Sequence, residues 1–134
     1  MTRIVCDASA VVAVLLDSGR DGRWATAQMT GAELFAPTLL SYECANIIRR
    51  HELGGAVSAD QAAQAHADLL DLPVNLWPYE MLSTRVWALR ENLSSYDAAY
   101  VALAEALTAT LVTLDRRIRG APGLKCPVAT PGSD

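Results

Sequence analysis

The chain has 134 residues, room for one domain around one sizeable core. Hydrophobic residues make up 51 % of it, and 15 acids against 11 basic residues give a formal net charge of -4. That balance argues against a general nucleic-acid coating protein, which would be basic overall, but not against a nuclease whose site itself holds several acids.

In chain order, Arg3-Ile4-Val5-Cys6 is a short β-branched run that predicts a buried strand ending at Asp7. Ala8 to Leu16 carries Val11, Val12, Leu15 and Leu16 at helical spacing, and Arg20 to Met29 continues as a second helix. Glu33 to Pro37 reads as a strand closed by proline. Thr38 to Leu53 is a strong helix ended by Gly54-Gly55, and Ser58 caps another that runs to about Leu72. Pro73 to Trp77 is a short extended piece, Tyr79 to about Asn92 a helix, and Ser94 or Ser95 starts one more that ends near Leu107. Thr110 to Leu114 is a buried strand ending at Asp115. A basic turn follows, then a last strand around Cys126 to Ala129 and a tail, Thr130 to Asp134, expected to be disordered.

Strands separated by helices imply βαβ units: an α/β fold, a parallel sheet with helices on both faces, in a single domain over residues 1–134. The longest apolar stretch, Ala10 to Leu16, is far below the roughly 20 residues that span a bilayer. Asp7 interrupts the N-terminal apolar run, so no signal peptide is expected. Cys6, Cys44 and Cys126 form no CxxC pair and sit among apolar neighbours, which fits core thiols in a reducing cytoplasm. His51 and His66 lack any ligand spacing.

Four acids stand in places that need explaining. In open α/β sheets ligands bind beyond the carboxyl ends of the strands, and Asp7 and Asp115 sit at two such ends. The plain explanation of each alone is a helix N-cap. Glu43 has Leu39, Leu40 and Ile47 at i−4, i−3 and i+4, in the middle of an apolar face. A carboxylate there needs a partner, a proton or a metal, so a buried ion pair is the competing explanation. Asp97 heads a stripe of Tyr100, Val101 and Ala104, although Ser94-x-x-Asp97 also reads as a capping box. Together the four suggest one pocket whose mutual repulsion a divalent cation would relieve. Hard oxygen donors point to Mg²⁺ or Mn²⁺. Arg49, Arg50, Arg116, Arg117 and Arg119 are basic residues near these acids that a phosphodiester would want, or cations suited to solvated helix ends. Ser9 and Thr113 are hydroxyls two positions from Asp7 and Asp115, placed to orient carboxylates or to cap backbone, the latter favoured for Ser9.

Asp7-Ala8-Ser9 after the first strand is one part of a larger pattern. The others are Ser41-Tyr42-Glu43-Cys44-Ala45-Asn46 on a helix, the run from Ser95-Tyr96-Asp97 to Ala104, and Leu111-Val112-Thr113-Leu114-Asp115. In this order and at this length they resemble the PIN-domain ribonucleases of the VapC toxin type, from Ile4 to about Val128. The resemblance implies a PIN-like parallel sheet, Mg²⁺ or Mn²⁺ at the acid cluster, cleavage of RNA, a homodimer and a cognate antitoxin protein. It assigns Asp7, Glu43, Asp97 and Asp115 to the family's acidic quartet as catalytic and metal-binding residues, and Thr113 to a supporting hydroxyl. Some relatives carry a further acid after the last one, where this chain has Arg116, Arg117 and Ile118. Two other readings compete: a receiver-like Mg²⁺-binding regulatory module, for which Asp7 lacks a paired acid, and a PIN fold that binds RNA without cleaving it. Trp77, Tyr79 and Trp87 are candidates for a dimer interface. An apolar groove between the first helices and the Thr38–Leu53 helix is the expected antitoxin site, with a basic antitoxin side chain near the acids.

Overall fold

The computed structural model describes residues 1–132. Five parallel strands form one sheet: β1 (Arg3–Cys6), β2 (Glu33–Pro37), β3 (Val74–Trp77), β4 (Thr110–Val112) and β5 (Val128–Ala129), in the spatial order β3-β2-β1-β4-β5. β1 is central. Val5 pairs with Phe35 on one side and Leu111 on the other, and all three are buried. A parallel strand buried on both faces must be apolar at nearly every position, which the run Ile4-Val5-Cys6 supplies. From β1 the chain builds outward to β2 and β3, then returns to lay β4 on β1's other flank. The switch in direction therefore falls between the carboxyl ends of β1 and β4, where an open sheet offers a crevice.

The helices form two groups on the two faces. α1 (Ala8–Leu16), α2 (Arg20–Met29), α3 (Leu39–Leu53) and α4 (Ala59–Asp71) pack on one another. α5 (Ser83–Ala88) lies on α6 (Ser95–Leu107), which crosses β1, β2 and β4. Gly22 lets α2 fold back on the end of α1: a Cβ there would stand 1.6 Å from the Asp17 carbonyl oxygen. α4 begins with a complete capping box between Ser58 and Gln61.

Several expectations change, among them the strand expected over Thr110 to Leu114, which ends at Val112. The helix expected from Tyr79 to about Asn92 is instead a 3₁₀ turn at Tyr79–Met81 followed by the short α5. Leu82 closes the first turn on Tyr79, and Leu89 ends α5 by bonding back to both Arg85 and Val86. The last strand is limited to Val128–Ala129, and the basic turn is a one-turn helix, α7 (Arg116–Arg119). Where a disordered tail is expected over residues 130–134, Thr130 is buried and accepts from Arg119, and the Pro131 carbonyl accepts from Arg116. Residues 133 and 134 lie outside the described residues. No helix among the described residues is long and apolar enough to cross a membrane.

Candidate active site

The site is built around Asp7. It is the first residue past β1 and the N-cap of α1, its Oδ1 accepting the Ala10 N–H at 3.1 Å. The capping explanation thus holds, but it covers one bond of three. The Ser9 hydroxyl donates to Oδ1 at 2.6 Å, and the Thr113 hydroxyl donates to Oδ2. Asp7 is only 8 % exposed. Burial pushes its carboxyl up, the two hydroxyls and the Ala10 amide pull it back, and the charge of Asp97 pushes it up again.

The two hydroxyls also stitch β1's exit to β4's exit. Ser9 Oγ accepts the Leu114 N–H at 3.0 Å, and Thr113 Oγ1 accepts the Asp115 N–H at 3.0 Å. The preference for Ser9 as a backbone cap is therefore half right: it takes a backbone N–H from a distant strand end while giving its own proton to Asp7. Thr113 is fully buried, at 0 % exposure; its hydroxyl bonds lie in this network, while its backbone N–H donates to the Ala129 carbonyl of β5 at 3.1 Å.

Glu43 comes from α3 and is half-buried. Its partner is a phenol, not the ion pair that stood as the competing explanation: Tyr100 donates to Glu43 Oε1 at 2.6 Å. Burial pushes the Glu43 carboxyl up, Tyr100 draws it down, and Asp7 and Asp97 push it up. Burial, then Glu43 itself, pushes the Tyr100 phenol up, so its proton stays in place.

Asp97 lies in the first turn of α6, half-buried. Ser94 caps that helix by accepting the Asp97 N–H at 3.1 Å, so this capping bond uses Asp97's backbone as donor and not its carboxylate. Burial and then Asp115 push its carboxyl up, while Arg117 and Ser94 draw it down. Asp115 behaves differently. It caps α7 and holds Arg117 through Nε at 3.0 Å and Nη2 at 2.8 Å, which keeps its carboxyl below the usual range.

The four acids expected from sequence thus lie within one electrostatic neighbourhood. Asp97 feels Asp115, and both Asp7 and Glu43 feel Asp97. In donor chemistry they suit a hard divalent cation, whose charge would relieve that repulsion. As placed, no three His, Cys, Asp or Glu side chains among the described residues enclose one ion. The fit rests on donor type and charge.

The arginines divide. Arg117 engages an acid of the quartet, Asp115. Arg116 and Arg119 hold the segment after β5. Arg49 and Arg50 are exposed on the last turns of α3, with Arg50 lining a cleft that starts at Ser9. Cys6 and Cys44 flank Asp7 and Glu43 in sequence but are inert core thiols, each pushed up to about 12 by burial. Sequence reasoning missed the role of Tyr100, which sits in an apolar stripe and looks like packing. A hydroxyl among buried alanines was the only signal.

Fold and site together define an α/β domain with electrostatically coupled acids beyond the strand ends at the switch point of a parallel sheet. The PIN domain model matches residues 4–124, and the chain belongs to that family. It is 40 % identical over 126 residues to the VapC ribonuclease Mb0985 of Mycobacterium bovis, covering 93 % of this chain and 95 % of that one. It is 38 % identical over 129 residues to ribonuclease VapC1 of Mycobacterium tuberculosis, covering 96 % and 97 %. Among solved structures it resembles VapC20 of M. tuberculosis, a sarcin–ricin loop cleaving toxin, with TM-score 0.66 and 15 % identity over 90 % of this chain and 95 % of that one. It also resembles VapBC2 of Rickettsia felis, solved with a DNA fragment from its promoter, with TM-score 0.67 and 12 % identity over 96 % and 98 %. At those identities the structures speak to shared fold alone.

Proposed function

We propose that the chain is a metal-dependent endoribonuclease, the toxin of a type II toxin–antitoxin pair, and that Asp7, Glu43, Asp97 and Asp115 form its site. One observation supports this reading: Asp7, Glu43, Asp97 and Asp115, from four separate elements, are electrostatically coupled, and three of them are held above their usual range by burial and by one another. The caps account for Asp7 and Asp115 but not for the mutual repulsion, which the metal-free fold bears at a cost.

Asp7 and Asp97 would hold Mg²⁺ or Mn²⁺, with Glu43 and Asp115 completing the site directly or through water. When bound, the cation supplies an acidified water and charge neutralisation at the attacked phosphodiester. Ser9 and Thr113 fix the Asp7 carboxylate. Glu43, whose carboxyl burial raises above its usual range, is better matched than the lowered Asp115 to take a proton from the nucleophile. Arg117, exposed beside Asp115, is placed to meet a phosphate.

Incubating a labelled RNA with the protein in Mn²⁺, in Mg²⁺ and in EDTA tests this, with Asp97→Asn beside wild type. Cleavage only with metal and only by wild type supports the reading; equal cleavage in EDTA overturns it. Phosphate uptake from acetyl phosphate would point to the receiver-like alternative, and RNA binding without cleavage to an inactive PIN fold.

Two interfaces belong to the same reading. A cleft of about 450 Å³ between α1 and α3 is lined by Val12, Ala13, Leu16, Ile47 and Val57 and opens at Ser9 beside the acids. It suits an apolar antitoxin segment that ends in a basic side chain over the carboxylates. A second cleft of about 340 Å³ is lined by Leu39, Tyr42, Tyr79 and Tyr96, and the three tyrosines are 79 %, 51 % and 63 % exposed. The exposed tyrosines of this cleft, and the separately exposed Trp87, are the candidate surface for a homodimer, while Trp77 is half-buried. The three free thiols suit a reducing cytoplasm.

A further inference from the structure

Tyr100 is 2 % exposed, in the middle of α6, where Ala98 to Ala104 are all buried. Phenylalanine would fill the same volume. What tyrosine adds is one hydroxyl, and that hydroxyl reaches Glu43 Oε1 on α3, 57 residues away in sequence, at 2.6 Å. Glu43 is a long side chain with several free torsions, and an unanchored carboxylate at its end would sample many positions over the cleft. The phenol removes that freedom.

The type of donor matters as much as its position. Asp115 is held by an arginine, which orients the carboxylate but also cancels its charge. Tyr100 is a neutral donor: it orients Glu43 and leaves the negative charge uncancelled. The same device acts on Asp7, where Ser9 and Thr113 are neutral hydroxyls. Two of the four acids are thus aimed by hydroxyls that keep their charge available to a cation, and each hydroxyl comes from a rigid element or its end.

We propose that Tyr100 is a positioning residue of the site, its hydroxyl fixing the Glu43 carboxylate by one oxygen so that the other is free for the metal or the attacking water. This rests on the reading of Glu43 as part of the metal site. The hydroxyl touches neither substrate nor metal and acts only through Glu43.

The test compares wild type, Tyr100→Phe, Glu43→Gln and the double variant by titration calorimetry with Mn²⁺ alone and by single-turnover cleavage of a labelled RNA. Tyr100→Phe keeps the ring and its packing, so a purely structural role predicts wild-type Mn²⁺ affinity. The positioning role predicts Mn²⁺ binding weakened about tenfold or more. It also predicts a lower cleavage rate at saturating RNA with little change in the RNA concentration for half-saturation. The double variant should lose no more than Glu43→Gln alone, because both remove one unit. If Tyr100→Phe binds Mn²⁺ and cleaves like wild type while Glu43→Gln loses both, Glu43 stays in the site and the positioning role is overturned. If Glu43→Gln itself binds Mn²⁺ unchanged, the inference falls together with Glu43's place in the site. Should Tyr100→Phe fail to fold, Glu43→Asp keeps the charge but draws it back from the hydroxyl. About tenfold weaker Mn²⁺ binding then supports the role, and unchanged binding overturns it.

Discussion

Asp97→Asn separates the two stories told about this residue, the cap and the site. The cap of α6 is the Ser94 oxygen accepting Asp97's backbone N–H, so an asparagine keeps it. What changes is one negative charge, pushed on by Asp115 and itself pushing on Asp7 and Glu43. Two carboxylates about 6 Å apart repel by roughly 0.7 kcal/mol at the dielectric of water and roughly 2.8 kcal/mol at an effective value near 20. Asp97 is half-exposed, so the lower part of that range applies, about 1 kcal/mol for the sum. At this chain length that corresponds to melting about 3 to 5 °C higher. Metal acts in the opposite sense: at about 100 times its dissociation constant it stabilises wild type by roughly 2.7 kcal/mol, near 10 °C. The asparagine variant should lose most of that. Melting both proteins in EDTA and in saturating Mn²⁺ should therefore give crossed rankings, the variant above wild type without metal and below it with metal. Parallel shifts, or a wild type indifferent to Mn²⁺, would refute the acid-site reasoning.

The same repulsion sets a pH dependence. Asp7, Glu43 and Asp97 titrate higher in the folded chain than unfolded, so their contribution is full below the unfolded values near pH 4 and is lost as pH rises through the folded ones. Asp115 and Glu105, both lowered, act only further down, losing their contribution as pH falls below about 4. Calorimetry in EDTA should show a higher Tm at pH 5 than at pH 7.5, and a Tm rising steadily over that interval would contradict it. Away from the site, Glu105 is held by Arg85 at 2.6 and 3.2 Å and by the Lys125 N–H at 2.7 Å, tying α5 and the β5 approach to α6. Glu105→Ala should cost about 2 kcal/mol, part of it from the stranded Arg85, with the Mn²⁺-induced melting shift unchanged. Thr108 ends α6 in the left-handed region at φ 52, where glycine is unstrained. Thr108→Gly should raise stability by about 0.5 to 1 kcal/mol in a denaturant titration, and a loss would mean that the threonine side chain contributes more than its strain costs.

Legibility in the sequence followed how local each signal was. β1 and β4 were readable because a central parallel strand must be apolar throughout, and the acids that follow them stand out for the same reason. Glu43 was readable from a broken apolar stripe. Its partner was not, because Tyr100 satisfies the same periodicity as a core aromatic and only the third dimension brings its hydroxyl to α3. The split of the Tyr79–Asn92 segment was hidden too. Leu82, Val86 and Leu89 are buried at helical spacing, yet the segment is broken before and after α5 by i→i+3 bonds that periodicity does not report. Thr113 was flagged by its distance from Asp115 in sequence, but its proton goes to Asp7 instead. The order of strands, not their spacing, decides that.

The acceptor capacity of the four carboxylates ranks them in a way that their positions alone do not. An ionised carboxylate offers about four lone-pair sites. Asp7 commits three, to Ser9, Thr113 and the Ala10 amide. Asp115 likewise commits three, to the Arg117 amide, Nε and Nη2. Glu43 commits one, to Tyr100. Asp7 and Asp115 are therefore the rigid anchors, each also capping a helix whose start fixes its place at the sheet edge. The uncommitted lone pairs lie more with Glu43, which Tyr100 anchors at one oxygen only, and the spare oxygen is what it brings to a cation held by Asp7 and Asp97. Two acids that cap helices and two whose carboxylates do not cap reconcile the caps with the chemistry. The caps fix Asp7 and Asp115 at the sheet edge, and the acceptor sites not satisfied within the fold are the ones that remain for a ligand.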